Sequence, residues 1–88
     1  MKALMFYEMA AGGASKVPES YPGHLARLKE FHARGVLLMA GPYGMPPTGA
    51  PGVFTSREAA EAFARDDPFV VNGVVGRCTI QEWNEVLG

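Results

Sequence analysis

The clearest clue to the architecture is GVLLMAG, residues 35–41, an apolar run enclosed by two glycines. Five consecutive apolar residues are too few for a helix and are typical of a buried strand. The segment before this run has the spacing of an amphipathic helix, with apolar positions at Leu25, Leu28 and Phe31. Ser20 is expected to cap that helix, Pro22 to lie in its first turn, and Gly35 to end it. The stretch therefore predicts a helix that leads directly into a strand over Val36–Ala40.

The same rules predict the elements on either side. They are a strand over Ala3–Met9 followed by a loop over Ala10–Lys16, a short strand over Gly52–Thr55, a helix that Ser56 caps and Asp67-Pro68 ends, and a last strand over Val74–Trp83. Between the second and third strands, Gly41–Gly52 holds four prolines and four glycines and is predicted to be irregular. The order βαββαβ predicts one α+β domain over residues 1–88, a ferredoxin-like plait with both helices on one face of an antiparallel sheet.

Both faces of the predicted sheet are apolar. Leu4 and Phe6 point to one side of the first strand, whereas Met5 and Tyr7 point to the other. Two helices can cover only one of these faces. We therefore expect a homodimer through the open sheet face, the commonest way to bury such a surface. The alternative is that loops, including Gly41–Gly52, fold over it.

Composition narrows the range of partners and compartments. Eight Lys and Arg against nine Asp and Glu give a net charge of -1, and the basic residues form no cluster. This balance argues against nucleic acid and anionic membranes as partners. No apolar stretch approaches the roughly 20 residues of a membrane span, and the N-terminus lacks the layout of a signal peptide. Cys78 is the only cysteine, and a lone thiol suits a reducing compartment, so we expect a cytoplasmic protein. Because Cys78 lies in the middle of a predicted strand, we expect its thiol to be buried and inert.

The sequence favours a site without metal or cofactor. His24 and His32 lie eight residues apart on one helix, about 12 Å along its axis, so they cannot share one ion. No CxxC or HExxH pattern is present, and the glycines of Gly41–Gly52 match neither a dinucleotide fingerprint nor a P-loop.

Two residues stand out for acid–base chemistry. His24 is predicted in the first turn of the first helix, where the helix dipole disfavours imidazolium and leaves a neutral base. Asp67 is predicted at the C-terminal end of the second helix, where a negative charge opposes the dipole. Each has a plainer explanation, since His24 could simply pack or meet solvent, and Asp67 could cap a turn that starts at Pro68. If the two side chains meet, Asp67 would fix the tautomer of His24.

The chain also resembles the YciI-like (YCII-related) family. The resemblance rests on YPGHLARL at residues 21–28, GVLLMAGP at residues 35–42 and Asp67-Pro68-Phe69, in that order along almost the whole chain. It implies a dimeric α+β barrel in which two sheets pack face to face, and an active-site pair of His24 and Asp67. Many family members have an arginine three positions before the histidine, where this chain has Tyr21, so an anion contact would be lost or altered here.

These observations lead to two functional hypotheses. The first is a cofactor-free enzyme of the lyase, isomerase or dehydrochlorinase type that acts on a small cyclic metabolite. In this enzyme His24 would move a proton and Asp67 would orient the His24 ring. Tyr7, Tyr43 and Phe69 would form an aromatic wall around the substrate. The resemblance supports it, since one family branch looks like dehydrochlorinases of chlorinated hydroquinones. The alternative is a non-catalytic, ligand-binding or accessory dimeric module.

Overall fold

The computed structural model describes residues 1–88 and contains one four-stranded sheet and three α-helices. In chain order the elements are β1 (Lys2–Met9), a 3-10 helix (Gly13–Lys16), α1 (Val17–Ala33), β2 (Leu37–Ala40), β3 (Gly49–Phe54), α2 (Arg57–Asp66), α3 (Pro68–Val71) and β4 (Val75–Trp83). The strands lie in the order β2-β3-β1-β4, and every neighbouring pair is antiparallel. The predicted α+β, ferredoxin-like fold is thereby confirmed.

The core lies between the sheet and the helices. Ala3, Met5 and Tyr7 of β1 are almost fully buried, which identifies the side of β1 that faces the helices. Phe31 of α1 and Phe63 of α2 pack edge to face above them, with ring centroids 5.2 Å apart. An aromatic pair of this geometry adds to the stabilisation that comes from burial.

The start of α1 differs from the prediction. The helix begins at Val17 and not after Ser20, because Pro18 supplies the first-turn proline four residues before Pro22. Ser20 is therefore buried inside the helix, and its hydroxyl accepts a hydrogen bond from Asn72 Nδ2 at 3.1 Å. Pro22 also lies inside the helix. The residues predicted as a loop before it contain a short 3-10 helix, Gly13–Lys16.

The third strand is longer than predicted, since β3 extends back into the proline-rich segment as far as Gly49. Pro51 lies within it and pairs with Phe6. The carbonyl of Pro51 accepts from the N–H of Gly41, so its backbone polar groups face β2. That neighbouring strand ends at Ala40, so the missing N–H of proline breaks no ladder hydrogen bond there.

The opposite face of the sheet remains open in the single chain. Phe6, Met39 and Trp83 are 37%, 67% and 38% exposed. The loop that could have covered this face lies on the helix side instead, where Pro42, Pro46 and Pro47 line a cavity together with residues of α1. This apolar face is thus uncovered by the chain itself.

The last strand corrects one prediction. Cys78 was predicted to be buried, but it is exposed, because β4 is an edge strand with a neighbour on one side only.

None of the helices combines the length and the hydropathy that crossing a bilayer requires.

Candidate functional site

A histidine–aspartate pair lies between α1 and the turn that joins α2 to α3. His24 Nδ1 is 2.9 Å from both carboxylate oxygens of Asp67. The Asp67 residue is fully buried, and His24 is 8% exposed. The fold thus brings together two side chains that are 43 residues apart in the sequence.

Asp67 receives hydrogen bonds from three directions. Besides His24, the hydroxyl of Tyr7 donates to Oδ2 at 2.7 Å, and the backbone N–H of Phe69 donates to Oδ1 at 3.4 Å. The last contact makes Asp67 the N-cap of α3, with Pro68 in its first turn. The two alternatives for Asp67 therefore hold at once, because one carboxylate caps a helix and also contacts the histidine. A carboxylate has enough acceptor positions for all of these donors.

Tyr7 has a polar role that sequence reasoning missed. Tyr7 was expected to form part of an aromatic wall, and it does line the cavity between α1 and the proline-rich loop. In addition, its hydroxyl donates a hydrogen bond to Asp67. Burial raises the pKa of Tyr7 well above its ordinary value of 10.0, and the hydrogen bond to Asp67 adds to the effect. Tyr7 therefore stays protonated and remains a donor. The sequence did contain a signal for this role. Alternation along β1 places Tyr7 on the side that faces the helices, and a buried tyrosine hydroxyl needs a hydrogen-bond partner.

The position of His24 corrects the electrostatic argument made from the sequence. Because α1 begins at Val17, His24 lies about two turns into the helix, beyond the first turn where the dipole acts strongly. The contact with Asp67 orients its ring instead. A neutral imidazole that donates from Nδ1 to a carboxylate carries no proton on Nε2. Nε2 makes no hydrogen bond within the chain, which leaves it free to take up a proton.

Aromatic rings hold the His24 ring in one plane. Phe69 stacks on it with a centroid separation of 3.8 Å and an interplanar angle of 5°. The Phe63 ring meets it edge-on at 6.2 Å, and Tyr21 lies 6.3 Å away at a tilt. With Asp67 fixing one nitrogen and Phe69 one face, the imidazole has little rotational freedom.

A glycine allows the close approach that creates the pair. A Cβ on Gly23 would lie 2.9 Å from Cγ of Pro68, which is closer than real contacts of this kind. The absence of a side chain at Gly23 lets the start of α3 pack against α1 one residue from His24. Asp67 directly precedes Pro68, so the same close approach brings its carboxylate to the imidazole.

The pair adjoins an apolar cavity of about 630 Å³ on the helix side of the sheet. Its lining includes His24, Tyr7, Phe69 and Tyr21, but no Asp, Glu, Lys or Arg. The other lining residues are Met9, Ala14, Val17, Leu25, Leu28, Ala40, Gly41, Pro42, Pro46, Pro47, Gly49, Ala50, Pro51, Val74 and Val75. A volume of this size is typical of sites for small molecules.

The third aromatic residue expected in the wall, Tyr43, lies elsewhere. It does not line the cavity, is 49% exposed, and places its hydroxyl over the backbone of Gly49. A part for Tyr43 in ligand binding stays a prediction.

The second histidine has a structural partner. His32 Nδ1 lies 2.9 Å from the carbonyl oxygen of Leu37, so this side chain ties the end of α1 to β2. It lies outside the cavity, which makes it a useful control for His24.

Comparisons with known proteins agree on the family and the fold. The model of the YCII-related domain matches residues 1–84. Protein YciI of Escherichia coli O6:H1 is 37% identical over 77 residues, covering 75% of this chain and 79% of that protein, and Protein YciI of Shigella flexneri matches equally.

Two solved structures share the fold. One is 5-chloro-2-hydroxyhydroquinone dehydrochlorinase from Burkholderia phenoliruptrix, in complex with 2,5-dihydroxybenzoquinone. It has a TM-score of 0.78 and 21% identity, covering 96% of this chain and 94% of that one. The other, Rv0793 from Mycobacterium tuberculosis, has a TM-score of 0.50 and 13% identity, covering 98% and 97%.

Proposed function

This chain belongs to the YCII-related domain family, and we propose that it is a small cofactor-free enzyme that moves a proton on a cyclic metabolite. His24 is the proposed acid–base residue and Asp67 its partner. Tyr7 and Phe69 would position them and form part of the wall around the ligand.

One observation carries this proposal. A buried carboxylate fixes Nδ1 of a histidine whose Nε2 is unpaired, and that histidine lines an apolar cavity large enough for a ring compound. An oriented imidazole near neutral pH is the commonest general base in proteins.

The proposed proton transfer follows from these contacts. Nε2 takes a proton from the ligand, and the resulting imidazolium is stabilised by the negative charge of Asp67. Tyr7 keeps its own proton and holds the carboxylate in place through the 2.7 Å hydrogen bond. Because Phe69 stacks on the ring, Nε2 is expected to keep its direction during the transfer.

The dehydrochlorinase that shares this fold suggests a reaction to test. Such a reaction removes a proton and a chloride ion from the ring compound. His24 would take a hydroxyl proton and return it to the ring carbon that bears the chlorine, which turns that hydroxyl into a carbonyl. Loss of a second hydroxyl proton would then form the second carbonyl, and the shifting electron pair would expel chloride with the electrons of the carbon–chlorine bond.

The test is turnover of 5-chloro-2-hydroxyhydroquinone, followed by chloride release, in the wild-type protein and two variants. We expect His24→Gln to lose at least about 100-fold in rate, as removal of a general base typically does. His32→Gln is the matched control, since it removes the other histidine of α1 from outside the cavity. Circular dichroism verifies that both variants are folded.

The outcomes separate the two functional hypotheses. Equal turnover in His24→Gln and the wild type would refute the proposed role of His24. Tight binding of the ring compound without turnover in the wild type would instead favour the non-catalytic ligand-binding or accessory module.

We further propose that the protein is a cytoplasmic homodimer, joined through the open face of the sheet. The exposed apolar side chains on that face, Phe6, Met39 and Trp83, support this arrangement. A second copy would bury them as two sheets pack face to face.

A further inference from the structure

The charge of the cavity restricts what can enter it. None of its lining residues carries a permanent charge, and the one buried charge beside it is the negative carboxylate of Asp67. An anionic ligand would lose its hydration without gaining a cation, and it would also approach Asp67. An uncharged ligand avoids both penalties.

The wall of the cavity also offers few hydrogen-bond donors. Pro42, Pro46, Pro47 and Pro51 line it, and proline has no backbone N–H. The wall therefore does not resemble the array of N–H groups that stabilises an oxyanion in acyl transfer. A ligand that gives up a proton here must stabilise the negative charge largely by itself, as a phenol or enol does by delocalisation.

One side chain at the mouth of the cavity can supply a donor. Tyr21 precedes His24 by three residues, so the two lie on the same face of α1. Its ring is 6.3 Å from the His24 ring and 6.4 Å from the Phe69 ring, and the residue is 47% exposed. In contrast to Tyr7, its hydroxyl makes no hydrogen bond within the chain, so it is available to a ligand.

We propose that this site selects uncharged ring acids, phenols or enols, and that Tyr21 is the specificity-determining residue that donates a hydrogen bond to their oxygen. This inference deepens the proposed function and rests on it, because it assigns the substrate class of the same site.

The proton balance explains the selection. The O–H bond of the ligand breaks, the proton goes to Nε2 of His24, and the electron pair stays on the ligand oxygen and spreads over the ring. A neutral ligand and a neutral imidazole become an anion and an imidazolium, so the net charge of the site does not change. Tyr21 then donates to an oxygen that has become more negative, which strengthens that hydrogen bond.

Three naphthalene probes of similar shape test the charge selection by fluorescence titration at pH 8. At this pH 2-naphthol is neutral and 2-naphthoate is anionic, since phenols ordinarily ionise near pH 10 and carboxylic acids near pH 4. The third probe, 2-methoxynaphthalene, has no proton to give. We expect 2-naphthol to bind at least about tenfold more tightly than either of the others, a difference of roughly 1.4 kcal/mol. Equal or tighter binding of 2-naphthoate would overturn the charge selection.

Tyr21→Phe tests the donor. Removing the hydroxyl should weaken 2-naphthol binding about two- to tenfold, the range expected for one hydrogen bond, and should leave 2-methoxynaphthalene less affected. Thr55→Val is the control, because it removes an exposed hydroxyl outside the lining of the cavity. Unchanged 2-naphthol binding in Tyr21→Phe would refute the role of Tyr21.

These results are separable from a failure of the proposed function. If His24→Gln keeps full turnover while 2-naphthol is still preferred, the enzyme mechanism fails and the ligand selection stands. If His24→Gln loses turnover while 2-naphthoate binds as well as 2-naphthol, only the present inference fails.

Discussion

Replacing Tyr7 by phenylalanine removes one hydroxyl from the most buried part of the site. In the wild type this hydroxyl donates to Asp67 Oδ2 at 2.7 Å, and Asp67 has no contact with solvent. In Tyr7→Phe the carboxylate keeps His24 and the N–H of Phe69 as donors, but one oxygen lone pair loses its partner. Phenylalanine fills nearly the same volume, so the change reports mainly on the hydrogen bond.

The expected loss of stability can be worked out from this contact. A hydrogen bond to a charged group contributes about 1.5–3 kcal/mol, and we take 2 kcal/mol as a rough central value. For a domain of this size each kcal/mol corresponds to roughly 4–8 °C in Tm, so Tyr7→Phe should melt about 8–16 °C below the wild type.

Alkaline pH should erase this difference. Because the pKa of Tyr7 is raised, the folded protein keeps the phenolic proton above pH 10.0, where the unfolded chain releases it. The unfolded state then binds fewer protons, and the stability of the wild type falls by about 1.4 kcal/mol per pH unit relative to Tyr7→Phe. A 2 kcal/mol advantage below pH 10 is therefore expected to vanish at about pH 11.5.

Thermal melting at neutral pH measures the first effect, and urea denaturation of both proteins at intervals from pH 7 to 12 measures the second. Tyr43→Phe serves as the control, since Tyr43 is half-exposed and its loss should shift Tm by less than about 4 °C. A Tyr7→Phe protein as stable as the wild type at neutral pH would contradict the proposed hydrogen bond. A gap that stays constant up to pH 12 would contradict the raised pKa.

Four shorter predictions concern other parts of the molecule. Asp67→Asn should release the fixed tautomer of His24, seen in the nitrogen chemical shifts of the ring, and lower turnover at least about 100-fold; an unchanged tautomer would argue against the pairing. Gly23→Ala should destabilise the fold although alanine favours helices by about 1 kcal/mol, because its Cβ would lie 2.9 Å from a proline ring of α3; a higher Tm would refute this. Phe6→Asp should convert the proposed dimer to monomers in light scattering, and a monomeric wild type would dismiss the dimer outright. Cys78 should react with iodoacetamide at pH 8 more slowly than an unstructured cysteine peptide. Although the residue is exposed, its thiol is partly desolvated, and this, with Asp67 adding to it, raises the pKa of the thiol; equal rates would contradict that shift.

Local sequence signals predicted the fold well because most helices and strands are bounded by residues that favour a start or an end. Gly35 has a left-handed φ of 78° and ends α1, and the hydroxyl of Ser56 accepts from the N–H of Ala59 at the start of α2. The errors arose where two signals competed. Pro18 and Ser20 both mark a helix start, and the earlier one prevailed. Pro51 argued against a strand at its position because proline cannot donate a ladder hydrogen bond. In the structure its backbone faces the residue after the end of β2, where no such bond is needed.

The site was only partly accessible from the sequence. His24 and Asp67 were singled out individually, but their contact depends on how α1 packs against α3, which is a property of the tertiary structure. The hydrogen bond from Tyr7 depends in the same way on β1 lying beneath both helices. Alternation along β1 indicated that Tyr7 faces inward, but only the assembled structure shows which acceptor its hydroxyl meets.

The proline wall has a thermodynamic consequence for any ligand. The φ angles of Pro42, Pro46 and Pro47 are fixed before binding, so this side of the cavity loses little conformational entropy when a ring compound enters. Apolar surface buried in such a preformed cavity gives a negative heat-capacity change, often with a favourable enthalpy near 25 °C. Calorimetry across temperatures should therefore show an association that releases heat, with an enthalpy that becomes more negative on warming.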